Sequence, residues 1–343
     1  MTASRIPGLD ALRGLAALLV LAFHARGLSF PRAIGPYEVL GHGYLAVDLF
    51  FVISGFVLAR AYDAGLAAGE GAGFMLKRLK RLYPMALLGL LLGAGIWLAQ
   101  GADPGTTLLL MVLGLTFIPF NGGRDVFPLN GPQWSLMWEL AANLVYAVVA
   151  PWLTTRWLAA LVVVGGVAHV ALTLTYGTGS LGPYGFNWWA GAPRVIYGFF
   201  AGVLLARLMG EGRLKIPAAP ILAILAAVVL ALSPPVPAAG RAVFDLVAAL
   251  VVFPLLVASA ARAEVGRALR PPLNGLAGMS YALYALHIPI VMGLAHWKLN
   301  GLAIPLALGA SWAAHRWFEP WAARLLRRKP QGFSTSAPSS STR

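Results

Sequence analysis

Residues 9–28 read LDALRGLAALLVLAFHARGL, and this stretch decides the fold. About 20 predominantly apolar residues suffice to cross a hydrocarbon layer of about 30 Å. The run has that length, yet Asp10, Arg13 and His24 interrupt it. The apolar core of a cleavable signal peptide is normally free of such groups, so the run is read as a retained transmembrane helix. Arg13 and His24 are separated by almost three whole helical turns and therefore lie on one face, which Asp10 shares. At about 1.5 Å per residue they stand about 16 Å apart along the axis, too far to touch but able to line one tunnel. Spacing alone leaves two readings open: a functional face, or an Asp10-paired interfacial anchor below a hydrogen-bonded histidine.

Working outward, the 343-residue chain is 59% hydrophobic and 11% charged, too few charges to cover a water-soluble domain of this size. Further apolar runs fall near 41–62, 84–100, 106–120, 133–153, 156–176, 191–208, 216–233, 241–260, 275–296 and 300–323. The expected fold is all-α, a polytopic transmembrane helical bundle occupying residues 1–328, with residues 329–343 a disordered Ser/Thr/Pro-rich tail. The net charge of +14 is concentrated in short connections beside the spans, where positive-inside bias and anionic lipid explain it without nucleic acid. Placing 77–81, 207–215, 262–270 and 324–329 in the cytoplasm leaves one span too many between residues 81 and 207. The short run 106–120 is therefore expected to be re-entrant, which gives about ten full spans with both ends cytoplasmic. The basic stretch 77–81 is expected to lie at the interface and to stop at Pro84, where a new helix begins. Gly198 and Gly202 form a small-xxx-small pair that marks close helix packing. With no Cys and no HxxxH spacing, neither a thiolate nor a metal site is expected.

Ionisable groups at membrane depth are costly and face a partner or a cavity. Asp48, within Val47-Asp48-Leu49-Phe50-Phe51, needs a buried partner, and a His or Arg of the first span is the nearest candidate. Ser135, Glu139 and Asn143 share one helical face, with Tyr146 following. Ser280, Tyr284 and His287 form a polar stripe ahead of Pro289. His315 and Glu319 are one turn apart ahead of Pro320, and for both stripes interhelical hydrogen bonding is the plainer reading. Arg78 and Arg81, one turn apart, can fork onto phosphate oxygens or serve lipid headgroups and topology.

Taken in order, these motifs resemble the acyltransferase-3 family of integral-membrane O-acyltransferases. The resemblance is carried by Leu9-Asp10-Ala11-Leu12-Arg13-Gly14 with Phe23-His24, by Val47–Phe51 with Ser54-Gly55-Phe56, and by Arg78-x-x-Arg81-x-x-Pro84. It continues through Trp134-Ser135-Leu136 with Glu139, Ser280–Tyr284 with His287, and Glu319-Pro320, so that it spans residues 8 to 320. It implies transfer of an acyl group, by default acetyl, from acyl-CoA to a hydroxyl of a sugar or glycoconjugate at the bacterial inner membrane. It assigns catalysis to His24, Arg13, Asp48 and Glu139, and acyl-CoA binding to Arg78 and Arg81. In the implied mechanism His24 is the general base, Asp48 orients it, and Arg13 stabilises developing negative charge. An acyl-histidine intermediate is a variant of this scheme. The sequence departs from the family pattern after Glu139, where Leu140-Ala141-Ala142-Asn143 replaces a second Glu and an aromatic. The rival class is a transporter or flippase that uses the same buried charges without acyl transfer, although no internal repeat supports two homologous halves.

Overall fold

The computed structural model describes residues 5–34 and 37–327; the expected disordered tail, 329–343, lies outside the described residues. Each apolar run read from the sequence carries a helix. These are α1 (Pro7–Ala25), α2 (Ala46–Ala67), α3 (Gly71–Ala99), α4 (Pro104–Leu115), α5 (Gln133–Val149) and α6 (Thr155–Tyr176). There follow α7 (Gly191–Gly210), α8 (Ile221–Leu232), α9 (Ala238–Ala260, with a π turn at Ala248–Val252) and α10 (Arg270–His296). The last rod, α11, runs through Ala303–Ala313, a π turn at Ala314–Phe318, and Glu319–Arg327. Seven of the rods are long and apolar enough to cross a membrane, while α4 and α8 are shorter apolar helices. The described residues also include short 3-10 turns, such as Gly43–Leu45 and Trp188–Ala190, and a small antiparallel ladder, Ala33–Ile34 with Tyr37–Glu38, in the connection before α2.

Local chemistry explains the start of α1. Pro7 opens the helix where its missing N–H costs nothing, and Asp10 sits in the first turn, as the helix dipole favours. One expectation is corrected at α3. The basic stretch 77–81 is not a separate interfacial segment ending at Pro84; Pro84 lies inside one continuous 29-residue helix. An internal proline removes one backbone bond and crowds the preceding turn, a defect that neighbouring helices in a membrane bundle can absorb. The connection after α4 folds back on itself. The Tyr83 hydroxyl donates to the Leu115 carbonyl at 2.8 Å where α4 ends, and Gln133, opening α5, reaches back to the Gly114 carbonyl.

Two parallel helix pairs organise the bundle. In the first, α1 and α10 rise together, with Arg13 against the Ala277 carbonyl and His24 against His287. In the second, α2 and α7 run together from the Asp48–Arg194 contact to the Asp63–Arg207 contact. The second pair touches backbone to backbone. A Cβ on Gly55 would overlap the Phe199 carbonyl, and one on Gly202 would overlap the Val52 carbonyl, which bears out the close packing expected at Gly198 and Gly202. Cross-links at Gly8–Ala260, Asp63–Arg207 and Gly71–Ala147 gather the basic connections at one end of the bundle, called the basic end below. The hydrophobic core between these pairs includes Leu12, Leu49, Phe51, Phe199 and Phe253, all buried.

Overpacking a filled contact costs about 1–3 kcal/mol. Gly202→Ala is therefore expected to lower the thermal stability of the detergent-solubilised protein. Gly309→Ala, where nothing lies within 4 Å of the added carbon, is expected to leave it unchanged or slightly raised. Equal melting temperatures for the two variants would remove the close α2–α7 contact from the account.

Candidate active site

A cavity of about 620 Å³ lies between α1, α2, α3, α5, α10 and α11. On α2 its lining runs from Val47 to Leu58, which at about 1.5 Å per residue makes it about 16 Å long. Six cations line it, Arg5, Arg13, Lys77, Arg78, Lys80 and Arg81, and most of them lie toward the basic end. Its opposite end is closed by Val47, Phe50, Ser135 and Tyr284.

Several of the charged groups along the wall have a partner suited to them. Arg13 donates to Asp10 at 3.0 Å and to the Ala277 carbonyl at 3.2 Å, while its Nε is buried with no partner among the described residues. Arg78, buried, donates to Glu139 Oε1 at 2.7 Å, and the Ser54 hydroxyl donates to the same oxygen at 2.7 Å. Glu139 thus holds one arm of the Arg78 guanidinium against the cavity wall. His315 and Glu319, also on the wall, pair at 2.8 Å one helical turn apart. The π turn that carries His315 lets α11 lie on α10 at Gly278, where a Cβ would strike the imidazole.

His24 lies just beyond the closed end. Its Nδ1 is 2.9 Å from the Val20 carbonyl and 3.3 Å from His287 Nε2. His287, buried, places its own Nδ1 3.0 Å from the Leu283 and Tyr284 carbonyls. A carbonyl can only accept, so Nδ1 of each ring carries the proton when both rings are neutral. His287 Nε2 is then an acceptor facing His24, and the second nitrogen of His24, Nε2, holds an unprotonated lone pair. That is the protonation state a general base needs, set here by backbone carbonyls and a second histidine.

The expected pairing of Asp48 with His24 is absent. Asp48 is forked by Arg194, with Nε to Oδ1 and the terminal nitrogen to Oδ2 both at 2.7 Å. Arg194 also donates to the Leu181 and Tyr44 carbonyls at 2.9 Å each and lies over the Trp134 ring. A carboxylate 2% exposed is satisfied best by a guanidinium that meets both oxygens at once, and a neutral imidazole offers one donor. Sequence reading missed Arg194; an arginine inside the apolar run 191–208 was the signal. Asp245, in α9, accepts from His42 at 2.7 Å, from the Tyr44 hydroxyl at 2.6 Å and from the Gly179 N–H at 2.8 Å. Of the remaining stripe residues, Ser135 meets Tyr284 at 2.5 Å, Tyr146 donates to Asp63 at 2.5 Å, and Asn143 is buried with no partner among the described residues.

Comparison with known proteins assigns the class. The family model described as an acyltransferase domain, acyltransferase-3, matches residues 6–321. The chain belongs to this family, a class of membrane O-acyltransferases. Among similar proteins, "Protein 2 in picA locus" of Rhizobium radiobacter is 40% identical over 161 residues, 40% of this chain and 79% of that protein. A "Putative peptidoglycan O-acetyltransferase" of Bacillus subtilis is 38% identical over 87 residues, 24% of this chain and 12% of that protein. A "Putative O-acetyltransferase" of Staphylococcus aureus is 36% identical over 88 residues, 24% of this chain and 13% of that protein. The chain therefore matches only about an eighth of the length of these last two relatives. No solved structure matches the chain.

Removing one partner of a buried ion pair costs about 3–5 kcal/mol, because the other charge is left uncompensated. Asp48→Asn and Arg194→Met are each expected to destabilise the protein by about that much. The double variant is expected to be less damaging than the sum, and strict additivity of the three melting shifts would contradict a direct pair.

Proposed function

We propose that the protein transfers an acyl group, acetyl by default, from acyl-CoA to a hydroxyl of a sugar or glycoconjugate at the bacterial inner membrane. The observation that carries this reading is the cavity itself, which joins a cation-rich end to a wall standing beside the His24–His287 pair. Coenzyme A is a multiply phosphorylated anion on a long arm. A cationic mouth opening into a passage about 16 Å long suits that shape. With the basic end cytoplasmic, as charge bias favours, the donor enters from the compartment that contains it. About ten full spans with both ends cytoplasmic accord with this placement, with α4 and its returning connection as the re-entrant piece.

In this reading Arg78 and Arg81 grip the donor's phosphates, and the Glu139 carboxylate keeps Arg78 from swinging away. The thioester reaches toward the closed end. His24 Nε2 removes the proton of the acceptor hydroxyl as its oxygen attacks the thioester carbonyl. The carbon–sulfur bond then breaks, the ester forms, and coenzyme A departs as a thiol once it takes up the proton. His287 accepts from His24 Nδ1–H and so holds the ring in the tautomer that exposes the Nε2 lone pair. Arg13, part-way along the passage, contributes positive charge to donor binding. Asp48 acts at a distance in this scheme, through Arg194 and the position of Trp134.

The test uses membranes from cells expressing the chain, incubated with radiolabelled acetyl-CoA, with base-labile label counted in the extracted glycolipid and polysaccharide. Incorporation dependent on the chain is expected. His24→Ala is expected to lower it by about 100-fold or more, the usual worth of a positioned base. His287→Phe, which leaves His24 in place but frees its tautomer, is expected to cause a smaller loss. Full incorporation with His24→Ala would remove that residue from the mechanism, and transport by reconstituted vesicles without acyl-CoA would favour a transporter instead.

A further inference from the structure

The closed end of the cavity is held by aromatic packing and hydrogen bonds. Tyr284 and Phe50 meet edge to face with ring centroids 5.7 Å apart. The Tyr284 hydroxyl and Ser135 Oγ are 2.5 Å apart, and Ser135 Oγ donates in turn to the Pro132 carbonyl at 3.0 Å. The Tyr284 hydroxyl also lies 3.4 Å from the Pro132 carbonyl, so two hydroxyls and one carbonyl tie the ring to the start of α5. Swinging Tyr284 aside would break the bond to Ser135 and leave a buried hydroxyl short of a partner. Phe50 is held by packing alone and is partly exposed to the cavity. Behind Tyr284 stands the His287 ring, with centroids 5.9 Å apart, and His24 lies beyond it. The Phe50 and Tyr284 rings therefore stand between the end of the cavity and the histidine pair, and the hydroxyl that His24 serves reaches the carbonyl past their edge.

An acyl thioester that enters from the basic end travels tail first, since its phosphates stay with the cations at the mouth. The tail, not the carbonyl, meets the wall. With the tail stopped there, every added methylene sets the carbonyl back from the histidine pair by up to about 1.5 Å, one carbon–carbon bond. A displacement of about 1 Å from the reactive geometry can cost about 100-fold in rate. We propose that Phe50 and Tyr284, with Tyr284 pinned by Ser135, form a ruler that sets acyl-chain length and restricts transfer to two- or three-carbon groups. This rests on the acyl-transfer reading above and adds the residues that choose among donors. The argument holds whichever edge of the wall the hydroxyl enters by, because the wall fixes how near the carbonyl comes.

The experiment is a donor series of acetyl-, propionyl-, butyryl- and hexanoyl-CoA, each measured with the full chain and with Phe50→Ala and Tyr284→Leu. The wild-type protein is expected to use acetyl and propionyl and to discriminate against butyryl. Phe50→Ala is expected to raise the butyryl-to-acetyl ratio by at least about tenfold, the lower end of what one misfitting methylene is worth. Tyr284→Leu should shift it in the same direction. Binding of the unreactive thioethers S-ethyl- and S-butyl-coenzyme A, measured on the same purified proteins, reads tail length without turnover and so covers a variant that binds but does not turn over. Butyryl-to-acetyl and butyl-to-ethyl ratios within about twofold of wild type in both variants would overturn the ruler while leaving acyl transfer intact. A wild-type protein that transfers no acyl group from any of the four donors would instead overturn the functional reading on which the ruler rests.

Discussion

The Asp48–Arg194 pair is the constraint on which the rest of the site depends. Both groups are almost completely buried, so neither can stay charged without the other, and the bidentate fork fixes α2 against α7. Arg194 also holds the Leu181 and Tyr44 carbonyls and lies over Trp134. Trp134 belongs to the first turn of α5, and the next residue is Ser135, which pins Tyr284 at the end of the cavity. One turn further on, Glu139 holds Arg78. The end wall and one of the basic-end cations are thus both set by the placement of α5. Buried ion pairs contribute little net stability compared with apolar packing, so the value of this one lies in position.

The parallel contact of α1 with α10 does comparable work for His24. It brings His287 beside His24 with no carboxylate hydrogen-bonded to either ring among the described residues, and three backbone carbonyls then decide where the protons sit. A neutral partner differs from a carboxylate in its consequence. It fixes the tautomer without pulling positive charge onto the ring, so the resting histidine remains free to accept a proton. The positive charge is kept instead toward the other end of the cavity, on Arg13, Arg78, Arg81 and the lysines.

Much of the architecture was legible from the residues because membrane burial leaves strong signals. The apolar runs all carry helices, and Gly202 sits where a backbone contact requires it. Arg13 pairs with Asp10, as helical spacing indicates, and His315 pairs with Glu319 for the same reason. The break expected at Pro84 did not occur, because a proline weakens a helix locally while packing decides over its whole length.

Helical periodicity and the cost of buried charge determined the helices, the shared face of Arg13 and His24, and the need of Asp48 for a partner. They act within one helix or on one group at a time, and are therefore written in the order of the residues. Which partner each group finds was decided only by the tertiary structure: Arg194 for Asp48, His287 for His24, Arg78 for Glu139, Ser135 for Tyr284. Those choices join helices far apart in the chain. They depend on how the helices are ordered and rotated against one another, and small-residue contacts and packed side chains set that order without leaving a periodic trace in any one segment.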